Sequence, residues 1–321
     1  MLRSSRLVAS FTVCTRRAAS SLTGLRQVTV LSNGSVETFQ IQAWRPAVPA
    51  LLPSKHFAAM PAIQKWFVTS ADHETTSLNT SYLAKFGATV VPLEISNNDS
   101  FSRVEQSLSF FLECVSASAS QYKAPRNRYF SSYVPGARAV KRTTTSNNFF
   151  SASAMTAPTA HIYLAQASLV DLPRALINDV PTPDLVWRAG KGDLYGSSIW
   201  LGQSPTYTPL HRDPNPNLFV QLAGKKVVRL YRPNDGLAIF AKVQEKVGGN
   251  ASASMRGEEM MHGAEKKALE QEVWEQHDPG HTLCWEAEVS SGDGLFIPKG
   301  WWHSIKGVDA GMTGSVNWWF R

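Results

Sequence analysis

Two histidines and an aspartate are the side chains in this chain best suited to hold a reactive metal. His211 and Asp213 stand two apart in Thr208-Pro209-Leu210-His211-Arg212-Asp213-Pro214. On a strand, residues i and i+2 share a face, so both reach one ion while Arg212 points away. A lone H-x-D pair is a weak signal, because the chain has eight histidines and short motifs recur by chance. A third ligand has to arrive from a distant strand. Gly292-Asp293-Gly294-Leu295-Phe296-Ile297-Pro298-Lys299-Gly300-Trp301-Trp302-His303 has the right form: a Gly-Asp-Gly turn, an apolar strand, a Pro-Gly bend, then His303 after two tryptophans. By itself His303 reads as an ordinary member of an aromatic cluster. With His211 and Asp213 it completes two imidazoles and one carboxylate, the set that holds ferrous iron and leaves other positions open.

Such a set needs strands to position it. After residue 160 the short runs SSIWLGQ, LFVQLAG, KKVVRLYRP, DGLFIP and GSVNWWF are separated by Gly, Pro and Asn. Close spacing of this kind predicts an antiparallel barrel or jelly roll. A charged helical stretch, 255–277, interrupts the strands and reads as a solvated excursion. Residues 37–120 read as mixed α/β. FQIQAWRPAVPALL is strand-like, SYLAKFGATVVPLEI is a short helix then a strand, and FSRVEQSLSFFLECV has helical spacing at Val104, Leu108, Phe111, Leu112 and Val115.

From His161 to Phe320 the chain resembles the JmjC (cupin-like) oxygenases that use iron and 2-oxoglutarate, in their small hydroxylase branch. The resemblance is carried by TPLHRDPNPNLFVQLAGKKVVRLYRP, GDGLFIPKGWWHSIKGV and SVNWWF, with HIYLAQASLVDLP ahead of the barrel. It implies an α+β, mainly β fold: a double-stranded β-helix (jelly-roll or cupin barrel) with N-terminal helices and a helical insertion. It implies Fe(II) held by His211, Asp213 and His303, with 2-oxoglutarate as cosubstrate and O2 as oxidant. Lys226 matches the base that meets the distal carboxylate of 2-oxoglutarate, a buried anion that needs a charged partner. Its neighbour Lys225 then turns outward by alternation. Tyr163 and Thr208 match cosubstrate hydroxyls, and Asn217 and Asn317 match amides near its other end. PNPN also suits a turn at Asn217, whereas Asn317 is a polar residue in an apolar strand and needs a partner. Trp200 and Trp319 read as core or as pocket walls. The implied activity is hydroxylation of a protein side chain. Hydroxylation of a modified tRNA base, histone demethylation, a non-catalytic cupin binding module and another metal-dependent cupin enzyme are the alternatives.

Composition bounds the rest. The chain has 321 residues, 43% hydrophobic and 18% charged, which excludes a largely disordered or fibrous chain. No apolar run reaches the ~18–20 residues of a membrane helix, so no integral membrane association is expected. Cys14, Cys114 and Cys284 form no C-x-x-C pair and give neither a disulfide framework nor a thiolate zinc site. Net charge is +7, with Arg3, Arg6, Arg16, Arg17 and Arg26 gathered before the first acid. Residues 1–27, basic and Ser-rich, read as a cleavable mitochondrial address, with a cytoplasmic or nuclear location as the alternative. Residues 28–160 read as a lead-in with a Ser/Thr-rich loop at 119–158, and 161–321 as the barrel, with an insertion near 236–285. Lys123, Arg126, Arg128, Arg138, Lys141 and Arg142 lie among Tyr122, Tyr129, Phe130 and Tyr133, a pattern that a long loop or an RNA surface would both show. Composition says nothing about oligomeric state.

Overall fold

The computed structural model describes residues 24–70, 75–96, 101–123, 161–249, 258–275 and 283–321. Most of the 1–27 address, most of the 119–158 stretch with its arginines, and the ends of the 255–277 segment lie outside the described residues.

The N-terminal strands are β1 (Leu25–Gln27), β2 (Thr29–Val30), β3 (Ala50–Leu51), β4 (Phe67–Thr69), β5 (Thr76–Leu78), β6 (Val90–Ser96) and β7 (Phe101–Ser107). After them come β8 (His161–Ser168), β9 (Leu194–Gln203), β10 (Tyr207–Arg212), β11 (Asn217–Ala223), β12 (Lys225–Tyr231), β13 (Cys284–Ser290), β14 (Gly294–Ile297), β15 (Trp302–Gly307) and β16 (Met312–Phe320). The helices are α1 (Val36–Phe39), α2 (Pro61–Lys65), α3 (Thr80–Leu83), α4 (Leu108–Lys123), α5 (Arg174–Asp179), α6 (Asp184–Arg188), α7 (Pro233–Val247) and α8 (Gly263–Glu270).

Two sheets face each other. The larger runs β2-β3-β14-β11-β16-β9-β8-β6-β7 and the smaller β1-β13-β12-β15-β10. This is the jelly-roll architecture expected, as a sandwich of two sheets flanked by helices. Strands β2, β3, β6 and β7 from the first half of the chain extend the same large sheet as the later ones.

Alternation sorts the side chains into layers. Leu218, Val220, Phe296, Val316 and Trp318 of the large sheet join Phe39, Trp66, Leu83 and Phe111 in a core under the N-terminal helices. Phe219, Leu295 and Ile297 turn the other way and meet Val228, Leu230, Ala287 and Val289 of the small sheet. Because both faces are covered, every residue of β11 is buried.

Three local expectations fail. Residues 101–107 form β7, not the first half of a helix: Val104 pairs with Leu93 in a hairpin with β6, and the helix begins only at Leu108. FQIQAW is helical, with Ser35 capping α1 by accepting the Thr38 N–H at 3.2 Å. Such a cap favours helix whatever the residues behind it prefer. The insertion is not a solvated excursion. Ala268, Leu269 and Val273 pack with Ile239, Phe240 and Val243 of α7 against Leu210, Tyr231 and Trp302, on the outer face of the small sheet. Gly236 allows that approach, since a Cβ there would lie 2.2 Å from the Trp302 ring.

Candidate functional site

Strands from both sheets converge on a chamber of about 40 Å3 lined by Tyr163, Trp200, Thr208, His211, Asp213, Asn217, Phe219, Lys226, His303, Ile305, Ser315, Asn317 and Trp319. A larger cavity of about 760 Å3 runs along Val36, His56, Phe57, Met60, Pro181–Leu185 and Arg188. It shares no residue with the chamber, and volume alone does not make a site. Among the described residues, the potential metal-binding group is His211, Asp213 and His303, whose donor atoms all lie within 4.8 Å of one another. That is the scale of one coordination sphere.

β10 and β15 are paired antiparallel, with His211 opposite His303. The two rings are 4.1 Å apart, centre to centre. Each ring is anchored through Nδ1: His211 to the Pro209 carbonyl at 2.9 Å and His303 to the Trp301 carbonyl at 3.3 Å. A carbonyl only accepts, so Nδ1 carries the proton and Nε2 keeps its lone pair for a ligand. Burial, and then the neighbouring His211, push His303 down to about 4 against the opposing pull of Asp213, so it is neutral at pH 7. Neutral imidazole is the form that binds metal.

Asp213 is held from the other side. Its Oδ2 accepts the Asn217 amide at 3.0 Å and the Trp319 indole N–H at 2.9 Å. Asn317 in turn donates to Asn217 Oδ1 at 3.0 Å. Both bonds to the carboxylate fall on Oδ2, which also lies 3.7 Å from His303 Nε2. Burial pushes this carboxyl up, but His303, His211 and the two donors outweigh it and hold it below the usual range. Asn217 is therefore an orienting partner of Asp213 rather than a turn residue. Trp319 does more than pack, since its N–H is committed to the same carboxylate.

Lys226 enters from β12. It is 3% exposed and donates to Ser315 Oγ at 3.0 Å and Tyr163 Oη at 3.4 Å. Its ammonium also lies 5.5 Å from the centre of the Phe219 ring. Neighbouring Lys225 points outward, as alternation requires, and pairs with Glu288 at 2.9 Å. Tyr163 is seated by a missing side chain: a Cβ at Gly202 would fall 2.0 Å from its ring. Beyond Tyr163 lies a cleft of about 140 Å3, between Glu94 and Phe101 of the β6–β7 hairpin and Met261 and Lys266 of the insertion.

A cupin-like domain family matches residues 55–321. The chain belongs to this cupin-like JmjC family. Lysine-specific demethylase JMJ30 of Arabidopsis thaliana is 28% identical over 163 residues, 51% of this chain and 34% of that protein. Lysine-specific demethylase 8 of Danio rerio is 27% identical over 160 residues, 49% of this chain and 36% of that protein. Jumonji C domain-containing protein 5 of Drosophila melanogaster is 26% identical over 160 residues, 49% and 36% respectively. The matched stretch thus spans about a third of each of these relatives.

Within this JmjC chamber every residue singled out from sequence is present: His211, Asp213, His303, Lys226, Tyr163, Thr208, Asn217 and Asn317. Ser315 was missed. Its signal was available, since Ser315, Asn317 and Trp319 alternate along GSVNWWF and so share the inner face. Among the described residues no carboxylate lies within ion-pair distance of Lys226. Burial pushes it down to about 7. A buried amine with two hydroxyls and a ring face beside it is suited to an incoming anion.

Proposed function

We propose that this chain is an Fe(II)- and 2-oxoglutarate-dependent dioxygenase that hydroxylates a protein side chain. The observation that carries the proposal is the joint presence, in one chamber, of the His211, Asp213 and His303 donors and of the unneutralised Lys226 ammonium. Two imidazoles and a carboxylate suit ferrous iron, and the remaining positions stay open to other ligands. Bound iron with 2-oxoglutarate and O2 supplies the oxidising power, through decarboxylation to succinate coupled to oxygen insertion into a C–H bond.

The protein's share is placement. His211 and His303 turn their Nε2 atoms to the metal position because their Nδ1 atoms are held by backbone carbonyls. Asn317, Asn217 and Trp319 fix the carboxylate of Asp213. Lys226 meets the distal carboxylate of the cosubstrate, with the hydroxyls of Tyr163, Ser315 and Thr208 beside it. Asn217 and Asn317 border the opposite end. Trp200, Phe219 and Ile305 exclude water, which strengthens each of these electrostatic contacts.

A second reading, demethylation of N-methyl-lysine, draws support from the Arabidopsis and Danio relatives, both named lysine-specific demethylases. It uses the same first event, hydroxylation of a carbon, after which an N-methyl group leaves as formaldehyde. The tRNA reading rests on residues 122–142, most of which lie outside the described residues. Import into mitochondria, on the composition of residues 1–27, remains part of the proposal.

The test is succinate formation by protein supplied with ferrous iron, 2-oxoglutarate and air, together with mass spectrometry of lysine- and methyl-lysine-containing peptides. Succinate above the His211→Ala background, with a peptide that gains one oxygen atom, is the expected result. Loss of a methyl group with formaldehyde would select demethylation instead. Succinate no higher than in His211→Ala would reduce the chain to a binding module.

A further inference from the structure

β10 leaves regular pairing at the point where it carries the site. It pairs with β15 at Thr208↔Ile305 and again at His211↔His303. Pro209 and Leu210 together therefore oppose Ser304, two residues against one, which is a β-bulge. Strict alternation would put Thr208 and Leu210 on one face and His211 on the other. Instead Thr208 and His211 both line the chamber, while Leu210 packs outside with Tyr231 and Trp302. The extra residue rephases the strand, and the site depends on that rephasing.

Ser304 stands opposite the bulge and is 0% exposed. Its hydroxyl donates to the Thr208 carbonyl at 2.9 Å and accepts the Trp274 indole N–H, also at 2.9 Å. Trp274 belongs to the insertion. Arg229 lies 4.6 Å and Lys306 5.1 Å from its ring centre. Arg229 also donates to the Val273 carbonyl at 2.6 Å, and Lys306 pairs with Glu270 at 2.7 Å. The insertion is thus fastened to the small sheet around this one indole.

We infer that Trp274 and Ser304 are positioning residues: the insertion's indole aims the Ser304 hydroxyl at the Thr208 carbonyl, and this clamp holds the bulge that turns Thr208 and His211 onto one face. The inference rests on the dioxygenase reading. A serine hydroxyl rotates to suit its partners, and the indole donor biases its proton toward the Thr208 carbonyl, with the Tyr207 hydroxyl as the other neighbour it can serve. The bond that the clamp makes directly is to Thr208; His303 keeps its anchor on the Trp301 carbonyl, outside the bulge, and His211 its local anchor on the Pro209 carbonyl, two residues back along its own strand. Losing the clamp therefore loosens Thr208, and with it the cosubstrate, more than the metal.

The experiment uses the full chain as wild type, Trp274→Phe, Ser304→Ala and the double variant. It measures the Kd for Mn(II) alone, the Kd for 2-oxoglutarate on Mn(II)-loaded protein, and Tm. Phenylalanine keeps an aromatic ring between Arg229 and Lys306 while removing the N–H together with the second ring of the indole, and Tm reports the packing part of that loss. The expected result is a weakening of 2-oxoglutarate binding by about three- to tenfold in each single variant, with the Mn(II) Kd changed by less than about twofold. The double variant is expected to be no weaker than the weaker single, since both act through one chain of hydrogen bonds. Unchanged 2-oxoglutarate affinity in Trp274→Phe overturns the inference, as does additive loss in the double variant or weakening that tracks Tm and Mn(II) affinity together. Wild type that binds Mn(II) but not 2-oxoglutarate overturns the dioxygenase reading as well, and that outcome is distinct from the others.

Discussion

Lys226 arrives in the chamber without a counter-ion, and this sets how the site responds to pH. Burial depresses its ammonium to about 7, and an anionic ligand favours the charged form, so its pKa rises on binding. Affinity for 2-oxoglutarate is then greatest below pH ~7 and falls as pH rises, by up to ~tenfold per unit. Titration calorimetry across neutral pH checks this; affinity that is flat or grows above neutrality contradicts it. Lys226→Met should weaken cosubstrate binding severely without lowering Tm, because a buried cation lacking a carboxylate partner costs stability. Asp179 shows the opposite logic. It is 1% exposed and accepts from Lys65 at 2.6 Å, Trp66 at 2.9 Å and Tyr82 at 2.5 Å. Burial raises this carboxyl, yet those donors leave it below the usual range. Its stabilising share is present above pH ~4 and lost as pH falls through the lowered value. Asp179→Ala strands the Trp66 and Tyr82 donors and should cost about 2–4 kcal/mol in urea unfolding, without touching metal affinity. Residues of the chamber were legible through the family resemblance, which selects Lys226 and lets alternation turn Lys225 outward, and through the need of a polar Asn317 in an apolar strand for a partner. Asp179 was not, because its partners lie 97 to 114 positions away in sequence.

Elements explain which of those readings hold. A strand buried mainly on one face, such as β12, announces its register, because a slip by one residue would bury Arg229 and turn Val228 and Leu230 outward. The β7 segment defeats the same reasoning. Its Val104 and the Leu108 and Phe111 of α4 happen to fall at helical intervals, but Val104 belongs to a hairpin. Periodicity does not show where one element stops and the next begins. The bulge in β10 was equally hidden, since it depends on Ser304 from another strand. Close approach between elements gives a sharp test. Gly202→Ala in β9 would place a methyl 2.0 Å from the Tyr163 ring, forcing that ring off the Lys226 ammonium. The expected outcome is a several-fold loss of 2-oxoglutarate affinity with metal binding retained.

At the scale of the whole molecule, the site is the seam between two sheets, each backed by its own helical layer. The small sheet brings His211, His303 and Lys226; the large sheet brings Asn217, Ser315, Asn317, Trp319 and Tyr163. Leu25–Gln27, at the end of the proposed address, runs parallel to β13, and Gly24 accepts the Cys284 N–H at 3.1 Å. Processing that leaves this pairing intact cuts before Gly24. N-terminal sequencing of any processed form recovered from cells is expected to find Gly24–Gln27 retained. A mature end beyond Gln27 would show that β1 is dispensable.

The central claim is that one chamber holds both the metal and the cosubstrate. Anaerobic titration with ferrous iron and 2-oxoglutarate tests it most directly, through the visible charge-transfer absorption that chelation of the keto acid by ferrous iron produces. The band should saturate at one iron per chain, vanish in His211→Ala, and require far more 2-oxoglutarate in Lys226→Met. Absence of the band in wild type at every concentration, or a band indifferent to either substitution, would contradict the claim.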